Sequence, residues 1–142
     1  MIQLRDYQET VYQDTIKAIN KGSKGILIQL PCRSGKSYVM AKFVETCKGN
    51  SLILAHRNEL LSQHKELIDS LGLLNKCRLA SVFTEVNHLG EHEKPMVILI
   101  DECHLSEASS YKKIADFYGC IIIGFSATPT RLNGEDRKST RL

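Results

Sequence analysis

The sequence predicts an α/β fold in which a mainly parallel β-sheet is covered by helices on both faces. Apolar, strand-like runs alternate with segments of helical periodicity between residues 26 and 125, and repeated strand–helix–strand units build parallel sheets. Most of these runs are apolar at nearly every position, which is typical of strands buried on both faces. Ligands of such sheets bind beyond the carboxyl ends of the strands. Polar residues that follow a predicted strand are therefore the first candidates for a functional site.

The predicted elements follow one another in one domain that covers residues 1–134. A helix is expected at 4–20, where apolar residues recur at helical spacing until the segment 21–25 interrupts them. Strands are predicted at 26–30, 51–55, 78–83, 96–100 and 121–125. Helices are predicted between them at 36–47, 58–71 and 108–118. The residues 135–142 form a polar tail that we expect to fray.

The composition is typical of a globular protein in water, with 42% hydrophobic and 25% charged residues. No apolar run is long enough to cross a bilayer, and the first residues lack the basic and then apolar pattern of a signal peptide. The five cysteines are scattered without any C-x-x-C pair, which favours a reducing compartment. We therefore expect a cytoplasmic protein. A net charge of +3 permits a nucleic-acid partner without requiring one.

The segment 30–37, Leu-Pro-Cys-Arg-Ser-Gly-Lys-Ser, lies between the first predicted strand and the helix that follows it. A polyphosphate needs backbone N–H donors in a concave turn, a helix N-terminus behind them and a cation within reach. In the motif G-x-x-x-x-G-K-[ST], the lysine reaches the outer phosphates and the hydroxyl ligates Mg²⁺. Leu30 replaces the first glycine of that motif, so the match is partial, and an ordinary helix-capping turn stays an alternative. The candidate cofactor-binding residues are Pro31, Cys32, Arg33, Ser34, Gly35, Lys36 and Ser37.

A second candidate segment follows the fourth predicted strand, where residues 101–104 read Asp-Glu-Cys-His. A carboxylate at the end of a buried strand needs a partner, because burying an unpaired charge is costly. A magnesium ion held from the Ser37 side, with water between it and Asp101, would supply that partner. Glu102 is then placed to orient or deprotonate an attacking water, and His104 would lie beside the γ-phosphate. The alternative is a strand that ends in a solvated acidic turn.

These two segments resemble motifs I and II of superfamily 2 helicases in the DEAH/DECH-box branch, of the bacterial and phage type. The sequence Ser-Ala-Thr-Pro at 126–129, after the fifth predicted strand, resembles motif III. Three weaker segments agree in order and rough spacing. Leu-Arg-Asp-Tyr-Gln at 4–8 resembles the opening of this group, 54–60 resembles motif Ia, and 80–84 resembles the strand and threonine of a later nucleic-acid contact motif.

For the nucleotide, the resemblance implies a RecA-like three-layer sandwich of the P-loop NTPase class that uses ATP and Mg²⁺. It implies that Gln8 contacts adenine, with Tyr7 beside it in the cofactor site, and that Lys36 binds the β- and γ-phosphates. Metal ligation is implied for Ser37 and Asp101, the latter through water. The residues with implied catalytic roles are Lys36, Asp101, Glu102 (as general base) and His104.

For the partner, the resemblance implies an ATP-binding motor domain of a DNA or RNA helicase or translocase, which hydrolyses ATP to ADP and phosphate. The implied contacts with the backbone of single-stranded or duplex nucleic acid, with DNA favoured over RNA, are His56, Arg57 and Thr84. The residues implied to couple the ATP state to the grip on nucleic acid are Ser126, Ala127 and Thr128. Such a motor needs a second RecA-like domain in cis or in trans, so this chain alone is expected to be weakly active or inactive. A P-loop NTPase switch and an inactive nucleotide-binding module, neither acting on nucleic acid, are the alternatives.

Overall fold

Strands and helices alternate along the chain in the computed structural model, which describes residues 2–31, 35–102, 108–128 and 139–141. The helices are α1 (Asp6–Asn20), α2 (Lys36–Thr46), α3 (Asn58–Ser70), α4 (Val82–Asn87) and α5 (Ala108–Tyr118), with a 3₁₀ turn at Leu74–Lys76. The strands are β1 (Gly25–Pro31), β2 (Ser51–Ala55), β3 (Cys77–Ser81), β4 (Val97–Ile100), β5 (Ile121–Thr128) and β6 (Ser139–Arg141). No helix in these ranges is both long and apolar enough to span a bilayer.

The strands form one six-stranded sheet in the order β3-β2-β4-β5-β1-β6. Every neighbouring pair runs parallel except β1 and β6, which are antiparallel. The order along the sheet differs from the order along the chain, so the connections cross over its faces, and in parallel sheets helices supply such connections. The predicted α/β class with a mainly parallel sheet is confirmed.

Two apolar clusters lie on opposite faces of this sheet, because successive side chains of a strand point to opposite faces. In β4, Leu99 belongs to the cluster that packs against α1, α2 and α3, whereas Ile98 and Ile100 belong to the cluster that packs against α4 and α5. All three side chains are fully buried. The helices therefore form one layer on each side of the sheet, as the three-layer prediction requires.

The third strand ends earlier than predicted. Ser81 closes β3, and its hydroxyl accepts a hydrogen bond from the backbone N–H of Thr84 at 3.0 Å. A serine in this position caps a helix by satisfying one of its free N–H groups. Val82 and Phe83 extend the apolar run of the strand in sequence, but they form the first turn of α4 instead. The prediction of a strand over 78–83 was wrong at its carboxyl end for this reason.

Residues 139–141 of the predicted tail are paired with the sheet. Residues Ser139–Arg141 form β6, in which Ser139 is the register partner of Ile28 and Arg141 that of Ile26. Without β6, the backbone groups of β1 on that side would be an open sheet edge. The expectation of a frayed tail was wrong for these three residues, while the domain boundary at residue 134 stays a prediction.

Candidate nucleotide-binding site

The carboxyl ends of three neighbouring strands bring the candidate motifs to one edge of the sheet. β5 lies between β1 and β4, with Pro31 opposite Thr128 and Ile100 opposite Gly124. The carboxyl ends of β1 and β4 therefore flank β5. The segment that resembles motif III was predicted to follow the fifth strand, but β5 continues through Thr128, so its first three residues, 126–128, are part of the strand. The longer strand results from continued pairing with β1.

Gly35 occupies a position that favours glycine. It precedes α2 in a left-handed conformation with φ 79°, and a Cβ atom there would lie 2.2 Å from Gln8 Nε2. Gln8 itself is buried, accepts a hydrogen bond from the Arg5 N–H at 2.9 Å, and donates a long one of 3.4 Å to the Gly35 carbonyl. Tyr7 beside it is partly buried. The start of α1 thus contacts the residue that precedes α2, while contact of Gln8 with adenine stays a prediction.

Lys36 and Asp101 meet directly at this edge. Lys36 Nζ lies 2.6 Å from Asp101 Oδ1, and the two side chains are 21% and 3% exposed. The backbone N–H of Asp101 donates to the Leu54 carbonyl at 2.9 Å, which holds the residue against the end of β2. The lysine of the first candidate segment and the carboxylate of the second therefore form one ion pair.

A histidine that the sequence analysis missed holds the other oxygen of Asp101. His64 on α3 is 2% exposed, and its Nε2 lies 2.6 Å from Asp101 Oδ2. Burial alone would raise the pKa of Asp101, but the hydrogen bond with His64 and the charge of Lys36 outweigh it and lower this pKa to about 2. A signal was present in the sequence, because His64 is four residues before the buried Ile68 and so shares its helix face.

Glu102, the predicted general base, is paired with Arg57, a predicted nucleic-acid contact. Arg57 Nη2 donates to Glu102 Oε2 at 3.2 Å and to Oε1 at 3.4 Å. The arginine side chain is 58% exposed and the glutamate 32%. Glu102 has a φ of 53°, a left-handed conformation uncommon for a residue with a Cβ atom. The predicted general base and a predicted nucleic-acid contact are therefore partners in one ion pair.

The other two predicted nucleic-acid contacts lie at the ends of β2 and β3, which are neighbours. His56 follows β2, and its Nε2 lies 2.6 Å from the hydroxyl of Tyr111 on α5. Thr84 is exposed in the first turn of α4 and accepts a hydrogen bond from the Ser81 hydroxyl at 2.8 Å. His56, Arg57 and Thr84 therefore share one side of the site edge, and their contact with nucleic acid stays a prediction.

A buried ion pair fixes the helix that carries Thr84. Glu85 is 1% exposed and receives hydrogen bonds from Arg78 Nη1 and Nη2, at 2.7 and 3.1 Å, and from the Tyr118 hydroxyl. Burial alone would raise the pKa of Glu85, but these hydrogen bonds outweigh it and lower this pKa. The cluster joins β3, α4 and α5 behind the predicted nucleic-acid surface.

The residues present fit a magnesium ion. Among the described residues, the buried Asp101 Oδ1 receives no hydrogen bond of acceptable geometry, so its contact with Lys36 is an ion pair. Magnesium prefers oxygen ligands, keeps several waters and binds through only one or two protein groups. The described ranges hold no group of three or more His, Cys, Asp or Glu side chains that would bind a metal by themselves. Ser37 and Asp101 are the residues that would hold magnesium, whose charge would neutralise that of the phosphates.

Several predicted site residues lie outside the described part of the chain. These are Cys32, Arg33, Ser34 and His104. The structure brings together Gln8, Gly35, Lys36 and Asp101, and it places Ser126 on β5 opposite Gln29 of β1. The roles of these residues in catalysis and binding stay predictions.

A family model described as "Type III restriction enzyme, res subunit" matches residues 1–81 and 68–131. The chain belongs to this family. The two matched ranges of this chain together contain every candidate residue named above. The match thus reaches from the first helix to beyond the fifth strand.

The curated relatives of this chain are longer than the chain itself. A 51.5 kDa protein of Lactococcus phage (isolate 7-9) is 37% identical over 119 residues, covering 80% of this chain and 26% of the phage protein. The putative ATP-dependent helicase IRC3 of Saccharomyces cerevisiae is 31% identical over 160 residues, covering 88% and 23%. The DNA 3'-5' translocase XPB2 of Sulfurisphaera tokodaii is 30% identical over 150 residues, covering 94% and 33%. The chain spans about a quarter to a third of these relatives.

A solved structure has the same fold. The UvsW helicase from bacteriophage T4 superposes with a TM-score of 0.71 at 18% identity, over 94% of this chain and 56% of that chain. Together with the family match and the helicase relatives, this shows that the chain is a RecA-like domain of a superfamily 2 helicase. The resemblance noted in the sequence is confirmed.

Proposed function

We propose that the chain is the ATP-binding motor domain of an ATP-dependent helicase or translocase, which hydrolyses ATP to ADP and phosphate with Mg²⁺. The observation that carries this proposal is the contact of Lys36 with Asp101 at the shared carboxyl edge of β1, β5 and β4. A phosphate-binding cation and a metal-binding carboxylate are the two charges that a Mg·ATP site needs side by side.

The chemical roles follow from where each side chain lies. Lys36 would leave Asp101 to bind the outer phosphates, and Asp101 and Ser37 would hold magnesium. Glu102 would orient the attacking water as general base, with His104 on the same segment as a further catalytic group. Gln8, whose side chain donates a hydrogen bond to the Gly35 carbonyl, would contact adenine.

The proposed partner is nucleic acid, with DNA favoured over RNA. One relative is named a DNA translocase, which supports DNA. The ion pair of Arg57 with Glu102 is exposed, and exposed pairs contribute only about 0–1 kcal/mol. Arg57 can therefore exchange this carboxylate for a backbone phosphate at little cost, which supports its proposed role.

The complete motor is proposed to need a second RecA-like domain, in cis or in trans. The relatives are three to four times as long as the matched segment, which leaves room for such a domain in them. In phosphoryl transfer an arginine finger raises the rate by about 10³–10⁵, so this chain alone is expected to turn over slowly. The cysteine pattern supports a cytoplasmic location.

The test is a comparison of nucleotide binding, hydrolysis and single-strand binding by the 142-residue chain. We expect Mg²⁺-dependent binding of ATP, slow hydrolysis and salt-sensitive binding of a fluorescent oligonucleotide. Nucleotide binding without any affinity for single strands would favour the P-loop switch. A chain that hydrolyses no ATP even after addition of a second RecA-like domain would be the inactive module.

Arg57→Ala is expected to weaken single-strand binding and to make it less sensitive to salt. Loss of one phosphate contact lowers the slope of log K against log salt concentration by about 0.7, and the weakening should be similar for all sequences. Fluorescence anisotropy of a labelled oligonucleotide at several salt concentrations measures both effects.

Lys17→Ala is the matched control for Arg57→Ala, because it also removes one positive charge. Lys17 is exposed in the last turn of α1, which leads to the amino end of β1 at the opposite edge of the sheet. If Lys17→Ala and Arg57→Ala lower the slope equally, the nucleic acid does not contact Arg57 and the attraction is diffuse.

A further inference from the structure

His64 occupies a position where the fold expects an apolar side chain. It and Ile68 are the buried residues of α3, one helical turn apart on the face toward the sheet. A polar ring at such a position destabilises the fold unless its nitrogen is hydrogen-bonded. The contact with Asp101 supplies a partner for Nε2, at 2.6 Å and with both side chains 3% exposed.

The hydrogen bond has a defined direction. A carboxylate oxygen accepts hydrogen bonds, and Asp101 Oδ2 lies 2.6 Å from Nε2 of the His64 ring. Nε2 of His64 is therefore the donor of this hydrogen bond. The donor lies on α3 and not on the segment 30–37 that would bind phosphate.

The two oxygens of Asp101 have different partners, and only one of these partners would also bind the nucleotide. Lys36 lies on the segment that would bind phosphate, so its contact with Oδ1 ends when its ammonium group moves to a nucleotide. His64 is not proposed to bind the nucleotide, so its hydrogen bond to Oδ2 remains. The carboxylate then keeps its orientation, with Oδ1 facing the position that Lys36 has left.

We propose, on the basis of the proposed function, that His64 is the positioning residue of the magnesium site. It holds Asp101 through Oδ2 so that Oδ1 stays free for the metal while Lys36 moves to the phosphates. Hydrogen bonds to the outer side of metal ligands commonly change metal affinity 10–100-fold. The inference concerns orientation of the carboxylate and requires no proton transfer by His64.

The test measures the Mg²⁺ concentration that half-saturates binding of a fluorescent ADP analogue. His64→Leu keeps a side chain of similar volume but removes the donor, and we expect the half-saturating Mg²⁺ concentration to rise about tenfold. Nucleotide affinity in EDTA should be unchanged. His64→Gln places an N–H donor near the position of Nε2 and is expected to restore a value close to that of the wild type.

Matched variants separate a positioning role from a structural one. Gln63→Leu removes an exposed polar group from the neighbouring position of the same helix and should leave the Mg²⁺ dependence unchanged. His64→Asn is too short to reach Oδ2, so His64→Asn and His64→Gln give the same comparison if the leucine variant does not fold. An unchanged Mg²⁺ requirement in the folded variants without the donor would overturn the inference while leaving the proposed function intact. Nucleotide binding by the wild type that does not depend on Mg²⁺ would instead overturn both this inference and the proposed function.

Discussion

Lys36→Ala is expected to lower the affinity of the chain for Mg·ATP about thirtyfold. The ammonium group lies at the site edge, 2.6 Å from Asp101, and is the proposed cation for the outer phosphates. A hydrogen bond to a charged group contributes about 1.5–3 kcal/mol, and 1.4 kcal/mol corresponds to a factor of ten in affinity. Titration with a fluorescent ATP analogue at saturating Mg²⁺ measures the change directly.

The fold should survive this substitution, because Asp101 keeps its hydrogen bond with His64 on α3. A thermal melt of the variant without nucleotide checks this. Lys112→Ala serves as the control, since Lys112 is 76% exposed and pairs only with Asp116 at 3.0 Å among the described residues. If both alanine variants bind ATP like the wild type, phosphate is not bound at Lys36 and the proposed nucleotide site is wrong.

Glu85→Ala is expected to lower the free energy of unfolding by about 3 kcal/mol. Removing the buried carboxylate leaves the Arg78 guanidinium and the Tyr118 hydroxyl without their shared acceptor. Breaking a buried pair from one side costs about 3–5 kcal/mol, and the lower end applies because Arg78 is 27% exposed. Urea unfolding monitored by circular dichroism measures the loss, and Glu66→Ala at an exposed position of α3 is the control.

The contribution of Glu85 should depend on pH in a defined direction. Its pKa is lowered in the folded chain, so its stabilising effect is complete above the unfolded carboxyl pKa of about 4.3. The effect is lost as the pH falls through the lower folded value. The difference in unfolding free energy between wild type and Glu85→Gln should therefore be large at neutral pH and shrink at acid pH. A difference that stays constant across this range would mean that the ion pair with Arg78 does not supply the stability.

Local patterns were sufficient to predict the elements that carry the site. The helix at 58–71 and the strand at 51–55 were predicted within one residue of α3 and β2, because periodicity and apolar runs are properties of neighbouring residues. The end of the third strand was predicted wrongly, since two apolar residues after Ser81 continue the pattern of a strand. The hydroxyl of Ser81 stabilises the start of a helix there, because it accepts a hydrogen bond from the backbone N–H three residues later.

The sequence by itself determined the α/β class, the candidate phosphate loop with Lys36 and the acidic segment that begins at Asp101. Tertiary structure alone decided that His64 holds Asp101 from 37 residues away, and that Arg57 pairs with Glu102 from 45 residues away. It also decided the pairing of β6 with β1. The physical reason is that a buried polar group must find its partner in space. Which residue supplies that partner depends on the order of strands in the sheet, and no local pattern records that order.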